Sequence, residues 1–76
     1  MSSPESKSEA LAGILTQVRQ ERGLSMTELG KRTGLSQQAI SYIERGKRTP
    51  TIETLYRIAE ALEVKLAPLI QETEDQ

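Results

Sequence analysis

Leu11, Ile14, Leu15 and Val18 recur at i, i+3, i+4 and i+7, one face of a helix. This stripe predicts a first helix with Ser8 as its N-cap. Gly23 is its natural stop, because glycine readily takes the left-handed conformation that closes a helix. Ser25-Met26-Thr27-Glu28 follows as a capping box, with serine at the N-cap and glutamate at N3. It opens a second helix, from Met26 to about Thr33, that ends at Gly34. Gly30 inside this helix costs roughly 1 kcal/mol relative to alanine. A closely approaching helix would explain it, and so would simple tolerance in a short helix. Ser36 caps a third helix, from Gln37 to about Arg45, which Gly46 terminates. Its Ile40 and Ile43 point inward, and Gln37, Gln38, Ser41 and Tyr42 point outward. Thr51 caps a fourth helix with the stripe Ile52, Leu55, Ile58, Ala59 and Leu62. Val64 to Ile70 reads as a turn and a short fifth helix, in which Pro68 fits only the first turn.

No strand pattern and no internal repeat interrupts this series, so the expected fold class is all-α, with five helices. The expected organisation is a flexible segment over 1–7, one domain over 8–71 and a loose acidic tail over 72–76. The expected core is Leu11, Ile14, Leu15, Val18, Leu24, Leu29, Leu35, Ile40, Ile43, Ile52, Leu55, Ile58, Leu62 and Leu66. A chain of 76 residues buries only about 60% of its unfolded surface, so its stability margin is thin.

Composition removes several kinds of chemistry. The chain has no cysteine and no histidine, which excludes disulfides, zinc-finger designs and the usual general base. No Gly-rich phosphate loop is present, and the carboxylates, lysines and tyrosines form no evident catalytic array. An enzyme, a metal site and a cofactor are therefore not expected. No apolar run approaches the roughly 20 residues that span a bilayer. The N-terminus lacks the charged start and apolar stretch of a signal peptide, so a cytoplasmic location is the default expectation.

Net charge is −1, but its distribution is uneven. Residues 19–57 hold eight Lys/Arg against four Asp/Glu, whereas residues 58–76 hold one lysine against five acids. The basic part coincides with the second and third helices and the cluster Arg45-Gly46-Lys47-Arg48 behind them. Two glutamines at the leading edge of a short helix, followed by a basic loop, suit the reading of DNA bases beside a phosphate backbone.

From about Leu11 to Ile70 the chain resembles the phage-repressor/Cro-type helix-turn-helix regulators, the xenobiotic-response-element family. The resemblance rests on Arg19-Gln20-Glu21-Arg22-Gly23-Leu24-Ser25, Glu28-Leu29 and Gly34-Leu35-Ser36-Gln37. It continues through Ile40-Ser41, Ile43-Glu44-Arg45-Gly46-Lys47-Arg48, Pro50-Thr51, Leu55 and Ile58-Ala59-Glu60-Ala61-Leu62. It implies a lambda-repressor-like five-helix domain whose helices 2 and 3 form the helix-turn-helix. It further implies a sequence-specific transcription regulator that binds a near-palindromic operator in double-stranded DNA as a homodimer. Helix 3 would lie in the major groove, with half-sites about 34 Å apart.

By this resemblance Gln37, Gln38, Ser41 and Tyr42 face the bases. Ser25, Thr27, Ser36, Lys47 and Arg48 face phosphates, and Arg19 pairs with Glu44 to brace helix 3 against helix 1. Met26 and Tyr42 depart from the family pattern, which often has glutamine at the first position and a basic or amide residue at the second. A dimer surface is expected on helices 4 and 5, from Tyr56, Leu66, Leu69 and Ile70, although these residues could instead close the core. Two alternatives stay open: a protein-interaction module that does not read DNA, and an antitoxin-type regulator acting with a protein partner.

Overall fold

The computed structural model describes residues 7–76; apart from Lys7, the expected flexible N-terminal segment falls outside the described residues. Five helices follow in order: α1 (Lys7–Glu21), α2 (Met26–Thr33), α3 (Gln37–Glu44), α4 (Ile52–Ala61) and α5 (Leu66–Glu74). Among the described residues there is no strand. Helix α1 packs on α3 and α5, α2 packs on α3 and α4, and α4 packs on α5.

Side-chain oxygens open three of these helices. Ser25, Ser36 and Thr51 each sit in extended backbone and accept the N3 amide of α2, α3 and α4. The capping box of α2 is complete, because the Ser25 amide donates to Glu28 Oε1 at 2.9 Å. Ser8 does not cap α1. Lys7 is already helical, so Ser8 lies within the helix, where its hydroxyl takes a 3.4 Å contact from Thr49 Oγ1.

One closing motif recurs at three helix ends. In α1 the amide of Leu24 reaches Arg19 O and that of Gly23 reaches Gln20 O. In α3 the corresponding bonds are Lys47 to Tyr42 O and Gly46 to Ile43 O, and in α4 Val64 to Ala59 O and Glu63 to Glu60 O. This double bond needs a left-handed residue between helix and loop. Gly23 and Gly46 supply it at φ 72° and 71°, and Glu63 supplies it at φ 61° as the one non-glycine of positive φ among the described residues.

The interior is one cluster that includes Leu15, Leu29, Ile40, Ile58 and Leu62, each nearly inaccessible to solvent. Val18, Leu24 and Leu35 are half-buried at its margin. One expected core residue is corrected. Ile52 is 63% exposed; it is the first residue of α4, on a face with Tyr56 that no other described helix covers. Leu66 is buried in the core as expected, and Leu69 joins it, because α5 turns both toward α4 and α1; of the two roles left open for them, closing the core is the one seen.

The tail expected to be loose is largely helical. Helix α5 continues to Glu74, with Thr73 buried and its hydroxyl bonded to Leu69 O at 2.8 Å. Lys7 Nζ closes this end by donating to the carbonyls of Thr73, Glu74 and Gln76, at 3.3, 3.3 and 2.8 Å. A cation there satisfies terminal carbonyls and complements the helix dipole. Pro68, third in α5, lacks an amide hydrogen that no intrahelical carbonyl could have accepted.

Gly30 has a specific cause. A Cβ there would stand 2.7 Å from the carbonyl oxygen of Leu35 and 3.5 Å from the amide nitrogen of Gln37, the first residue of α3, so the close approach of the α2–α3 turn and the start of α3 needs the glycine. Gly13, exposed in α1, meets nothing within 4 Å. The two glycines should therefore respond oppositely to enlargement in urea denaturation. Gly13→Ala should raise unfolding free energy by about 0.5–1 kcal/mol through helix propensity. Gly30→Val should lower it by about 1–3 kcal/mol through overpacking against backbone.

Candidate nucleic-acid interface

Helix α3 has only eight residues, too few to be stable alone, so its position is set by what it packs on. Ile40 and Ile43 are buried on its inner side. Beside them Arg19 of α1 makes a two-pronged ion pair with Glu44, Nε to Oε2 at 2.7 Å and Nη2 to Oε1 at 3.1 Å. Both side chains are almost wholly shielded, at 10% and 4% exposure. The third arm of the guanidinium donates to Leu24 O at 2.7 Å, which ties in the loop entering α2. A fork of this kind fixes direction as well as distance.

The opposite side of α3 carries the residues assigned to base reading. Gln37 and Gln38 are exposed, and Ser41 and Tyr42 are half-buried one turn later. Two of these side chains already have protein partners. Thr27 Oγ1 donates to Gln37 Oε1 at 3.1 Å, linking the starts of α2 and α3. Gln38 Nε2 donates to the Tyr42 hydroxyl at 3.0 Å. The Arg48 guanidinium stands 5.6 Å from the centre of the Tyr42 ring, within cation–π range. None of these ties was foreseen from the sequence. The i, i+4 spacing of Gln38 and Tyr42 is the one signal that could have shown theirs.

The residues assigned to phosphate contact lie at both ends of this surface. Ser25, Thr27 and Ser36 are exposed at the first turns of α2 and α3, and Lys47 and Arg48 are exposed behind α3. The Ser25 and Ser36 hydroxyls accept backbone amides, and each still has its own proton to donate. Arg45 and Lys47 have no ion-pair partner among the described residues. Met26 packs half-buried against the core. The Ser25 amide, and then the Ser25 hydroxyl, hold the Glu28 carboxyl below the usual carboxylate range.

On α4 and α5 the four residues assigned to a dimer surface separate. Tyr56 is 61% exposed, Ile70 is half-buried, and Leu66 and Leu69 are buried. A shallow groove between the two helices is lined by Tyr56, Val64, Lys65 and Leu66 among others. Among the described residues no cluster of acids could hold a metal ion, and no helix is long and apolar enough to cross a membrane.

Residues 15–69 match a family model described as helix-turn-helix. An HTH-type transcriptional regulator of Sinorhizobium fredii, y4dJ, is 45% identical over 58 residues, 76% of this chain and 75% of that one. The HTH-type transcriptional regulator SutR of Escherichia coli is 38% identical over 66 residues, 87% of this chain; the matched part is only 37% of SutR's length. Among solved structures, the clp gene regulator ClgR of Corynebacterium glutamicum superposes with a TM-score of 0.89 at 25% identity, over 99% of this chain and 96% of that one.

Two measurements test the supports of this surface. Glu44→Ala leaves a buried guanidinium unpaired and should cost about 3–5 kcal/mol. Glu21→Ala, on an exposed site of α1, should stay within about 0.5 kcal/mol; equal melting temperatures for the two variants would contradict the brace. For Glu28, a folded pKa below the unfolded one gives stabilisation that is present above the unfolded value. It is lost as pH falls through the folded value. The advantage of wild type over Glu28→Gln should accordingly hold at neutral pH and shrink from about pH 4.3 downward, followed by thermal melting across that range.

Proposed function

The chain belongs to the Cro/C1-type helix-turn-helix family of transcriptional regulators, and on that premise we propose that it binds a near-palindromic operator as a homodimer, with α3 in the DNA major groove. One observation carries this reading: Gln37 and Gln38 stand exposed at the leading end of a helix whose other side is clamped by Arg19 and Glu44. The major groove admits a helix, and a glutamine amide complements the N6 and N7 of adenine. Ser41 and Tyr42 extend the same face by one turn.

Phosphates on either side of the groove would be held by Ser25, Thr27 and Ser36 at the helix starts and by Lys47 and Arg48 behind α3. Helix N-termini attract anions, and these contacts set register without carrying sequence information. For the dimer, the exposed apolar surface of Ile52 and Tyr56 supports an interface on α4, extended by Ile70 of α5 and floored by Leu66. Each copy measures 36 × 23 × 23 Å. Two copies related by a two-fold axis are the right size to reach half-sites about 34 Å apart.

The test is selection from random duplexes, followed by gel shifts of the enriched site over a range of salt. A dyad-symmetric site should emerge, with affinity falling steeply as salt rises. Gln38→Ala should relax preference at one base pair per half-site, and Lys47→Ala should weaken all sequences about equally. Enrichment of no sequence would favour the protein-interaction alternative.

A further inference from the structure

Four contacts converge on Tyr42. Its carbonyl accepts the amides of Lys47 at 2.9 Å and Arg48 at 3.3 Å. That tie belongs to the backbone turn closing α3, and any residue at position 42 would supply it. The other two belong to this side chain alone. The phenol oxygen accepts Gln38 Nε2 at 3.0 Å, and the Arg48 guanidinium rests 5.6 Å from the ring centre. The ring is thus held between a base-facing glutamine and a cation of the following loop.

A glutamine amide has two N–H donors and one carbonyl acceptor. With one N–H given to Tyr42, Gln38 presents the other N–H beside its carbonyl. This donor–acceptor pair matches adenine, which offers an acceptor at N7 and a donor at N6. The reversed amide would turn its NH₂ group outward and present donors to the two acceptors of guanine, N7 and O6. An untethered glutamine on an exposed helix samples both orientations, and ordering it on binding carries an entropic cost.

We propose that Tyr42 is the residue that sets specificity on this face by positioning Gln38: its hydroxyl orders the amide so that Gln38 selects adenine at one base pair of each half-site. Arg48 in turn steadies the ring from its face. The proposal rests on the reading of α3 as the DNA-recognition helix. It gives Tyr42 a positioning role rather than direct contact with a base.

Selection from random duplexes by wild type, Tyr42→Phe, Gln38→Ala and the double variant tests it, because phenylalanine keeps the ring and its Arg48 contact and removes only the hydroxyl. Wild type should enrich a site with adenine at the base pair that Gln38→Ala relaxes. Tyr42→Phe should reduce the adenine preference at that same base pair by about 2- to 10-fold, the range that ordering one long side chain is worth. Other positions, the salt dependence and the melting temperature should not change. In the Gln38→Ala background Tyr42→Phe should have no further effect, since the two residues act as a unit. Tyr42→Phe selecting as wild type does, or relaxing a different base pair, would overturn the proposal. A guanine preference at the Gln38 position, or additive losses in the double variant, would do so too. Failure of wild type to enrich any sequence would overturn the recognition-helix reading as well, and it is seen before any variant is compared.

Discussion

The ion pair between Arg19 and Glu44 is the constraint on which the rest of the surface depends. Helix α3 is eight residues long and contributes two buried isoleucines to the core. Apolar contact of that size is non-directional and would allow the helix to roll or slide. The guanidinium fork removes that freedom, because it bonds both oxygens of Glu44 and the Leu24 carbonyl at once. Burying two charges is costly unless every polar atom is paired. Among the described residues no buried side-chain nitrogen or oxygen lacks a partner. The pair is best understood as fixing orientation, with the apolar cluster supplying most of the net stability.

Orientation propagates from that pair to the exposed side. Thr27 ties the start of α2 to Gln37, and Tyr42 ties Gln38 to the loop that carries Arg48. Glycine at position 30 lets the turn between α2 and α3 close, since a Cβ would strike the Leu35 carbonyl. A small chain without disulfides thereby holds two exposed glutamines in defined places. The ends of the domain are joined in a similar spirit, with Lys7 at the start of α1 closing the last turn of α5.

Much of this was legible in the sequence because local chemistry and fold agree. Ser25, Ser36 and Thr51 cap helices wherever they are followed by the right backbone, and Gly23, Gly34 and Gly46 supply the left-handed stops. What was not legible depends on packing between distant segments. Ile52 fits the apolar stripe of α4, yet no described helix covers the first turn of that face. Leu66 was legible as core, but Leu69 only as apolar, since its burial depends on where α5 lies against α1 and α4. The acidic composition after Gln71 concealed the buried Thr73, and no local pattern links Lys7 to a carbonyl 69 positions later. Glu63 shows the converse, a left-handed helix stop built without the glycine that would have announced it.

The central claim is that the Gln37–Gln38 side of α3 and the Lys47–Arg48 loop form one DNA-reading surface, separate from the apolar face of α4. Backbone amide NMR, with the protein titrated with a duplex carrying its selected site, tests this most directly. Perturbations should centre on Gln37, Gln38, Ser41, Tyr42, Lys47 and Arg48, with the first turn of α2 at the margin, and should spare the acidic end of α5. Perturbations centred on α5, or no change at stoichiometric duplex in low salt, would contradict the account.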